Sequence, residues 1–227
     1  MRRRTGPGPK GTQTRDAILR AAERLFAQKG FSACRLEDVG TSVGIKRASI
    51  VYYFPDKQSL YDAVLDSVCG GLLTRYRIVF SQPEPLAERL LGIIDTWVTY
   101  VGERPSVVPL LFRAITEPSD HAAVSRHVAP IMGEVVGFLQ RGQAEGVFAP
   151  IDPEHFYNAI GGTTLLLLMA RPITWPDRAG EAYDPALLEK HRKELLGITR
   201  RLLDLPMEGT ASIPEAPGQT TWVGGPI

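Results

Sequence analysis

The 227-residue chain carries 26 Lys and Arg against 25 Asp and Glu, a net charge of +1, with 44% hydrophobic residues. That length supports one compact core or a small head on a larger body, and near neutrality by itself says nothing about nucleic acid. Two cysteines, Cys34 and Cys69, fit neither a disulfide framework nor a metal site, and the longest apolar run, Leu165 to Ala170, is far too short to span a bilayer. A soluble cytoplasmic protein with reduced thiols is expected, with no membrane partner, metal or cofactor.

Residues 1–13 form a Gly/Pro/Thr-rich basic arm without apolar periodicity, expected to be disordered when free. Its Arg2, Arg3 and Arg4 can reach phosphates or a minor groove, or remain a solvated tail. An amphipathic helix follows from Thr14, with Ile18, Ala21, Ala22, Leu25 and Phe26 on one face and Gly30 ending it. Residues 36–54, LEDVGTSVGIKRASIVYYF, then read as two short helices around a tight turn. Leu36, Val39 and Val43 share one face, Gly44 supplies a left-handed stop, and Ile45 drops into the core. A second helix runs from Arg47 to Phe54 with Ile50 and Phe54 inward. Lys46, Arg47, Ala48, Ser49, Tyr52 and Tyr53 are left to the outside, small, basic and hydroxyl-bearing, as a helix in the major groove requires. A fourth helix opens at Lys57 behind Asp56 as N-cap and runs to about Phe80.

The charge supports a head and a body. Through residue 57 there are 12 Lys and Arg against 5 Asp and Glu, and beyond it 14 against 20, so a +7 end joins a −6 remainder. A basic end on an acidic body is the pattern of a two-domain DNA-binding regulator.

The remainder divides into helices, with no convincing strand. A fifth, residues 86–103, carries Leu90, Ile93, Ile94, Trp97, Tyr100 and Val101 on one stripe. A short sixth contains Pro109 and Phe112. A seventh covers about 120–146, with Pro130 expected to kink it or delay its regular part. An eighth runs from Asp152-Pro153 to about Ala170. A Pro/Gly/acidic loop leads to a ninth over 185–205, and residues 206–227 read as a disordered tail. Helices four to seven hold more aromatics than a thin bundle needs. Trp97, Tyr100, Phe112, Arg113, Met132 and Phe138 are the candidate lining of a small-molecule pocket, with Arg113 as its polar anchor and Tyr76, His127 and Gln140 nearby. The alternative for each is an ordinary place in the core.

The carrying residues Ile18, Ala21, Ala22, Leu25, Phe26, Gly30-Phe31, Val39, Val43-Gly44-Ile45, Ser49-Ile50, Tyr52-Tyr53-Phe54 and Lys57 together resemble the tetracycline-repressor (TetR) family of bacterial regulators, over residues 14–66 without a gap. The resemblance implies an all-α fold of about nine helices. A helix-turn-helix head over 14–57 would join a ligand-binding and dimerisation body over 58–205. It implies a homodimer on a near-palindromic double-stranded DNA operator, a repressor released by a small, mostly apolar effector. DNA contacts fall to Arg35, Lys46, Arg47, Ala48, Ser49, Tyr52, Tyr53 and Lys57. The dimer seam falls to Phe156, Ile160, Thr164 and Leu167 on the eighth helix and Leu188, His191, Leu195, Ile198 and Leu202 on the ninth, with Gly161-Gly162 permitting close approach. Periodicity alone leaves open whether these stripes face the chain's own core.

Four departures from the family pattern stand out. Arg35 and Lys46 occupy positions where the family has small hydroxyl caps, a substitution costing about 0.5–2 kcal/mol each unless a neighbour or water caps instead. Each is a candidate for phosphate attraction. Val51 shortens a usual aromatic, and Gly40, where Ala is usual, costs about 0.5–1 kcal/mol within a helix. A regulator without a small-molecule ligand is the nearest rival. An enzyme is the rival of another class, but His121, His127, His155 and His191 show no metal-ligand spacing, and no nucleophile elbow or phosphate loop occurs.

Overall fold

The structure is a computed structural model that describes residues 9–116, 121–181 and 183–206; among these it holds nine α-helices and no strand. The expected tail lies outside the described residues apart from Pro206, and so do residues 1–8 of the arm. The arm is shorter than the sequence suggested, because α1 (Pro9–Ala33) already begins at Pro9. A proline suits a first helical position, where its missing N–H has no intrahelical partner to lose. Gly30 breaks α1 with φ 81° and ψ 168°, a conformation open to glycine, and turns the chain toward α2 (Leu36–Val43).

The turn between α2 and α3 (Arg47–Tyr53) follows the sequence reading closely. Gly44 stands at φ 71°, and the Ile45 N–H donates to the Gly40 carbonyl at 2.9 Å, satisfying the end of α2. Ile18, Ala22, Phe26, Val39, Ile50 and Leu60 are fully buried in one cluster, so α1, α2, α3 and the start of α4 (Lys57–Phe80) share a core. α4 begins on a side-chain cap, with Asp56 Oδ1 accepting the Ser59 N–H at 2.7 Å and its hydroxyl at 2.8 Å. It then continues into the body, packing on α1, α5 (Leu86–Glu103) and α7 (His121–Ala144).

α6 (Val107–Thr116) lies against α1, α7 and α8, while α9 (Pro185–Leu202) packs on α5. α8 (Pro153–Thr174) and α9 start alike, at an Asp-Pro pair. Asp152 accepts the His155 N–H at 2.7 Å, and Asp184 accepts the Ala186 N–H at 2.8 Å. The helix bounds at two prolines differ from those expected. α7 is helical well before Pro130, so that residue delays nothing, and α8 runs past Arg171-Pro172 to Thr174. Pro172 is tolerated because it sits in the last turn, where only one helical bond is lost. No helix among the described residues is long and apolar enough to cross a membrane.

Candidate functional site

The outward face of α3 is open. Lys46, Arg47, Ala48 and Ser49 are exposed, and Tyr52 is 79% exposed, its ring edge-on to half-buried Tyr53 with centroids 5.1 Å apart. Ile50 beneath is the residue that anchors the helix. Neither Lys46 nor Arg35 makes a side-chain cap, as their chemistry requires. At α2 the cap comes from Asp38, whose Oδ2 accepts the Arg35 backbone N–H at 3.2 Å and the Lys29 ammonium at 3.0 Å. The Lys29 bond first, then the Arg35 N–H, holds the Asp38 carboxyl below its usual value. At α3 the N-cap Lys46 makes no side-chain cap bond, and two cations, Lys46 and Arg47, stand at this N-terminus.

Two of the expected DNA-contact side chains have partners within the protein. Arg47 pairs with Glu37 of α2 at 3.2 Å, both largely exposed. Lys57 turns inward: its ammonium donates to the carbonyls of Phe31 at 2.9 Å and Ser32 at 3.2 Å and lies 4.4 Å from the Phe31 ring centroid. It closes the turn after α1 instead of standing free. Gly40 has a reason that the sequence did not reveal. A Cβ there would lie 2.7 Å from the Ile45 carbonyl oxygen, so the turn is packed too closely for alanine unless the backbone shifts.

The body encloses a cavity of about 460 Å³ between α4, α5, α6, α7 and α8. Trp97, Tyr100 and Met132 line it as expected from the aromatic surplus; Phe112, Arg113 and Phe138 do not. Phe138 is buried against Phe80, with centroids 5.0 Å apart, and under the Arg89 and Arg141 guanidinium groups. Arg113 faces α1, where its Nε donates to the Ala27 carbonyl at 3.0 Å and its Nη2 to that of Gln28 at 2.8 Å. An arginine beside the last carbonyls of a helix is electrostatically favoured there. Gln140 is exposed, and His127 Nδ1 meets Asp66 of α4 at 2.9 Å. The sequence reading missed Tyr157, Asn158, Gly161, Gly162 and Leu165 as lining residues; Tyr157 and Gly161 stand four apart, a signal for a shared face.

Head and body are tied together beside this cavity. Arg104, at the end of α5, grips Glu23 of α1 through Nε at 2.8 Å and Nη2 at 2.5 Å. The same guanidinium donates to the Tyr100 hydroxyl at 2.9 Å and to the Ser67 carbonyl at 3.1 Å. Tyr100 in turn donates to the Val68 carbonyl at 2.8 Å, and the Ser106 hydroxyl also reaches Glu23. Glu23 is 95% buried, so the pair is needed to keep its charge satisfied. One cavity-lining residue, Tyr100, thus connects to the first helix of the head through a single guanidinium.

The expected dimer seam requires correction. Phe156, Ile160, Thr164, Leu188, His191 and Leu195 are buried inside the protomer, and Phe156 and Ile160 face the cavity. Thr164 Oγ1 meets His191 Nε2 at 2.9 Å, joining α8 to α9. Leu167 is half-buried. Only Ile198 and Leu202 of the nine stand exposed, at 40% and 44%. The exposed large apolar residues of α8, α9 and the residue that follows α8 are instead those two with Leu166, Ile173 and Trp175. On α8 the buried residues Phe156, Ile160, Thr164 and Leu168 recur every four, leaving Leu166 and Ile173 on the opposite side. Gly161 and Gly162 permit no close approach within the protomer, since a Cβ on either would meet nothing within 4 Å.

Residues 18–64 match the model of the bacterial regulatory proteins of the tetR family. The HTH-type transcriptional repressor NicS of Pseudomonas putida is 31% identical over 154 residues, which cover 64% of this chain and 71% of NicS. The HTH-type transcriptional regulator RutR of Escherichia coli is 29% identical over 167 residues, covering 65% and 70%. Among solved structures, FadR from Bacillus subtilis in complex with stearoyl-CoA superposes with a TM-score of 0.63 at 15% identity, over 80% of this chain and 97% of that one.

Proposed function

The chain belongs to the TetR family of bacterial regulators, and from that premise we propose a cytoplasmic, dimeric transcriptional repressor that a small apolar effector releases from its operator. The observation that carries the DNA-binding part is the exposed outer face of α3, which carries Arg47, Ala48, Ser49 and Tyr52 behind Lys46 while Ile50 is buried beneath. In this reading Arg47, Ala48 and Ser49 reach base edges, while Lys46, Arg35, Tyr52 and Tyr53 meet phosphates. Lys57 serves the head indirectly, by closing the turn after α1.

The uncharged cavity supports the effector part, as do relatives that are repressors and a fold neighbour described with stearoyl-CoA. A ligand there bears on Tyr100 of α5 and on Leu111 and Ile115 of α6. Both helices are fastened to α1, through Arg104–Glu23 and through Arg113 to the Ala27 and Gln28 carbonyls. The effector acts only by its differential affinity for two head spacings, one of which matches the half-sites. Two protomers join through the exposed α8 and α9 face of Leu166, Ile173, Ile198 and Leu202, which places two recognition helices on one side of the duplex.

Selection of genomic fragments with the purified protein tests this reading. It is expected to recover a near-palindromic site whose affinity falls steeply with salt. Arg47→Ala is expected to lower that affinity by about 1–3 kcal/mol and relax the sequence preference. Unselective recovery, or an unchanged preference in the variant, would refute the assignment of α3 as the reading helix.

A further inference from the structure

The composition of the cavity wall narrows what it can hold. None of its 23 lining residues is Asp, Glu, Lys, Arg or His. The groups on it that could ionise are kept neutral: burial pushes the Cys69 thiol and the Tyr157 phenol each up to about 12. Burial raises Tyr76 as well, with the charge of Tyr157 adding to it, and both residues line the cavity. An ionised ligand group inside would therefore meet no countercharge.

Polar recognition has few sources. The Tyr100 hydroxyl is already engaged by Val68 and Arg104. The indole nitrogen of Trp97 is buried and unpartnered but shielded from the open space. Tyr76, 95% buried, and half-buried Tyr157 remain, and neither hydroxyl bonds to another described residue. A buried phenol without a partner is costly, and one that borders a cavity can be satisfied by what fills it. The way in lies between α6 and α8, where Ile115, Asn158 and Gly162 are lining residues that are also exposed. Side chains at Gly161 and Gly162 would occupy empty space, so the glycines leave the passage clear.

We propose that the effector is an uncharged, mostly apolar molecule bearing one hydrogen-bonding oxygen, which bonds to the hydroxyl of a cavity-lining phenol, Tyr76 or Tyr157. This assignment rests on the cavity being the sensor site argued above. It excludes free carboxylates and places no charged headgroup within the body. An alcohol, ketone or ester oxygen can accept from a phenol, and an alcohol can also donate to one.

Displacement of the apolar dye N-phenyl-1-naphthylamine from the full-length protein by four probes of equal chain length tests it: dodecanol, dodecane, dodecanoate and dodecanoyl-CoA. Dodecanol is expected to bind most tightly, about 3- to 10-fold ahead of dodecane, and dodecanoate at least about 100-fold behind it. Tyr76→Phe or Tyr157→Phe, each nearly isosteric, is expected to narrow the preference for dodecanol over dodecane. Dodecanoate or dodecanoyl-CoA binding as well as dodecanol would overturn the uncharged assignment while leaving the sensor site intact. An unchanged dodecanol preference in both variants would overturn the role of the phenols. Failure of every probe and of the dye to bind would overturn the sensor site itself.

Discussion

The head and the body solve opposite packing problems with the same helical material. In the head a small dense core of Ile18, Phe26, Val39 and Ile50 holds a short helix whose function lies on its exposed side. Nothing there is spare, to the point that Gly40 leaves no room for a methyl group. The body leaves about 460 Å³ unfilled at its centre and surrounds the space with uncharged side chains. A close-packed region transmits displacement, whereas an incompletely filled one can be displaced. The difference makes the body the natural receiver and the head the natural reporter, joined at Arg104–Glu23 and Arg113.

The largest expected effect lies at that junction. Arg104→Met removes the partner of a buried carboxylate, and a loss of about 3–5 kcal/mol in chemical denaturation is expected. The double variant Glu23→Gln with Arg104→Met should recover much of it, yet its operator affinity should respond less to a cavity ligand. Equal responsiveness in the double variant would show that the signal travels by another route.

Next in size is the contrast between two leucines of the body. Leu166→Glu places a charge on the exposed α8 face, so the monomer should stay folded, sediment at half the mass and lose operator affinity by about 100-fold or more. Leu195→Glu buries its charge inside the protomer and should unfold the chain instead. Dimers that persist in Leu166→Glu would move the seam elsewhere.

These two leucines also show where sequence reading stops. The head was legible because its determinants are contiguous: Leu36, Val39, Gly44 and Ile50 fix each other's places within a few turns. α8 is apolar around most of its circumference, so spacing marks a helix but not which side meets α9, the cavity or a partner. The stripe chosen for the seam, Phe156 to Thr164, is the inward one. Arg113 was misread for a related reason. Its aromatic neighbours suggested a pocket, but the carbonyls that hold it belong to α1, more than 80 residues earlier. Tyr157, one residue from a chosen position, was missed because no local signal shows that this face of α8 borders the cavity.

Smaller effects return to the head. Gly40→Ala would stabilise an ordinary helix by about 0.5–1 kcal/mol. Here the close Ile45 carbonyl should reverse the sign, with a net loss of about 1–3 kcal/mol by thermal unfolding of the full chain. A gain in stability would mean that the turn relaxes freely.

The mildest is a pH effect in the body. Burial lowers the His191 imidazole below its ordinary 6.5. The unfolded chain therefore takes up this proton first, so the contribution of neutral His191 is complete above about pH 6.5 and is lost as pH falls through its depressed folded value. His191→Gln should flatten that part of the stability profile, and an unchanged slope would assign it to other groups.

The most direct measurement is the affinity of the wild-type dimer for its selected operator fragment, with and without dodecanol at a concentration that displaces the dye. Tight, salt-dependent binding that weakens about tenfold or more when the cavity is filled is the expected result. A filled cavity with undiminished operator affinity would contradict the coupling of head and body.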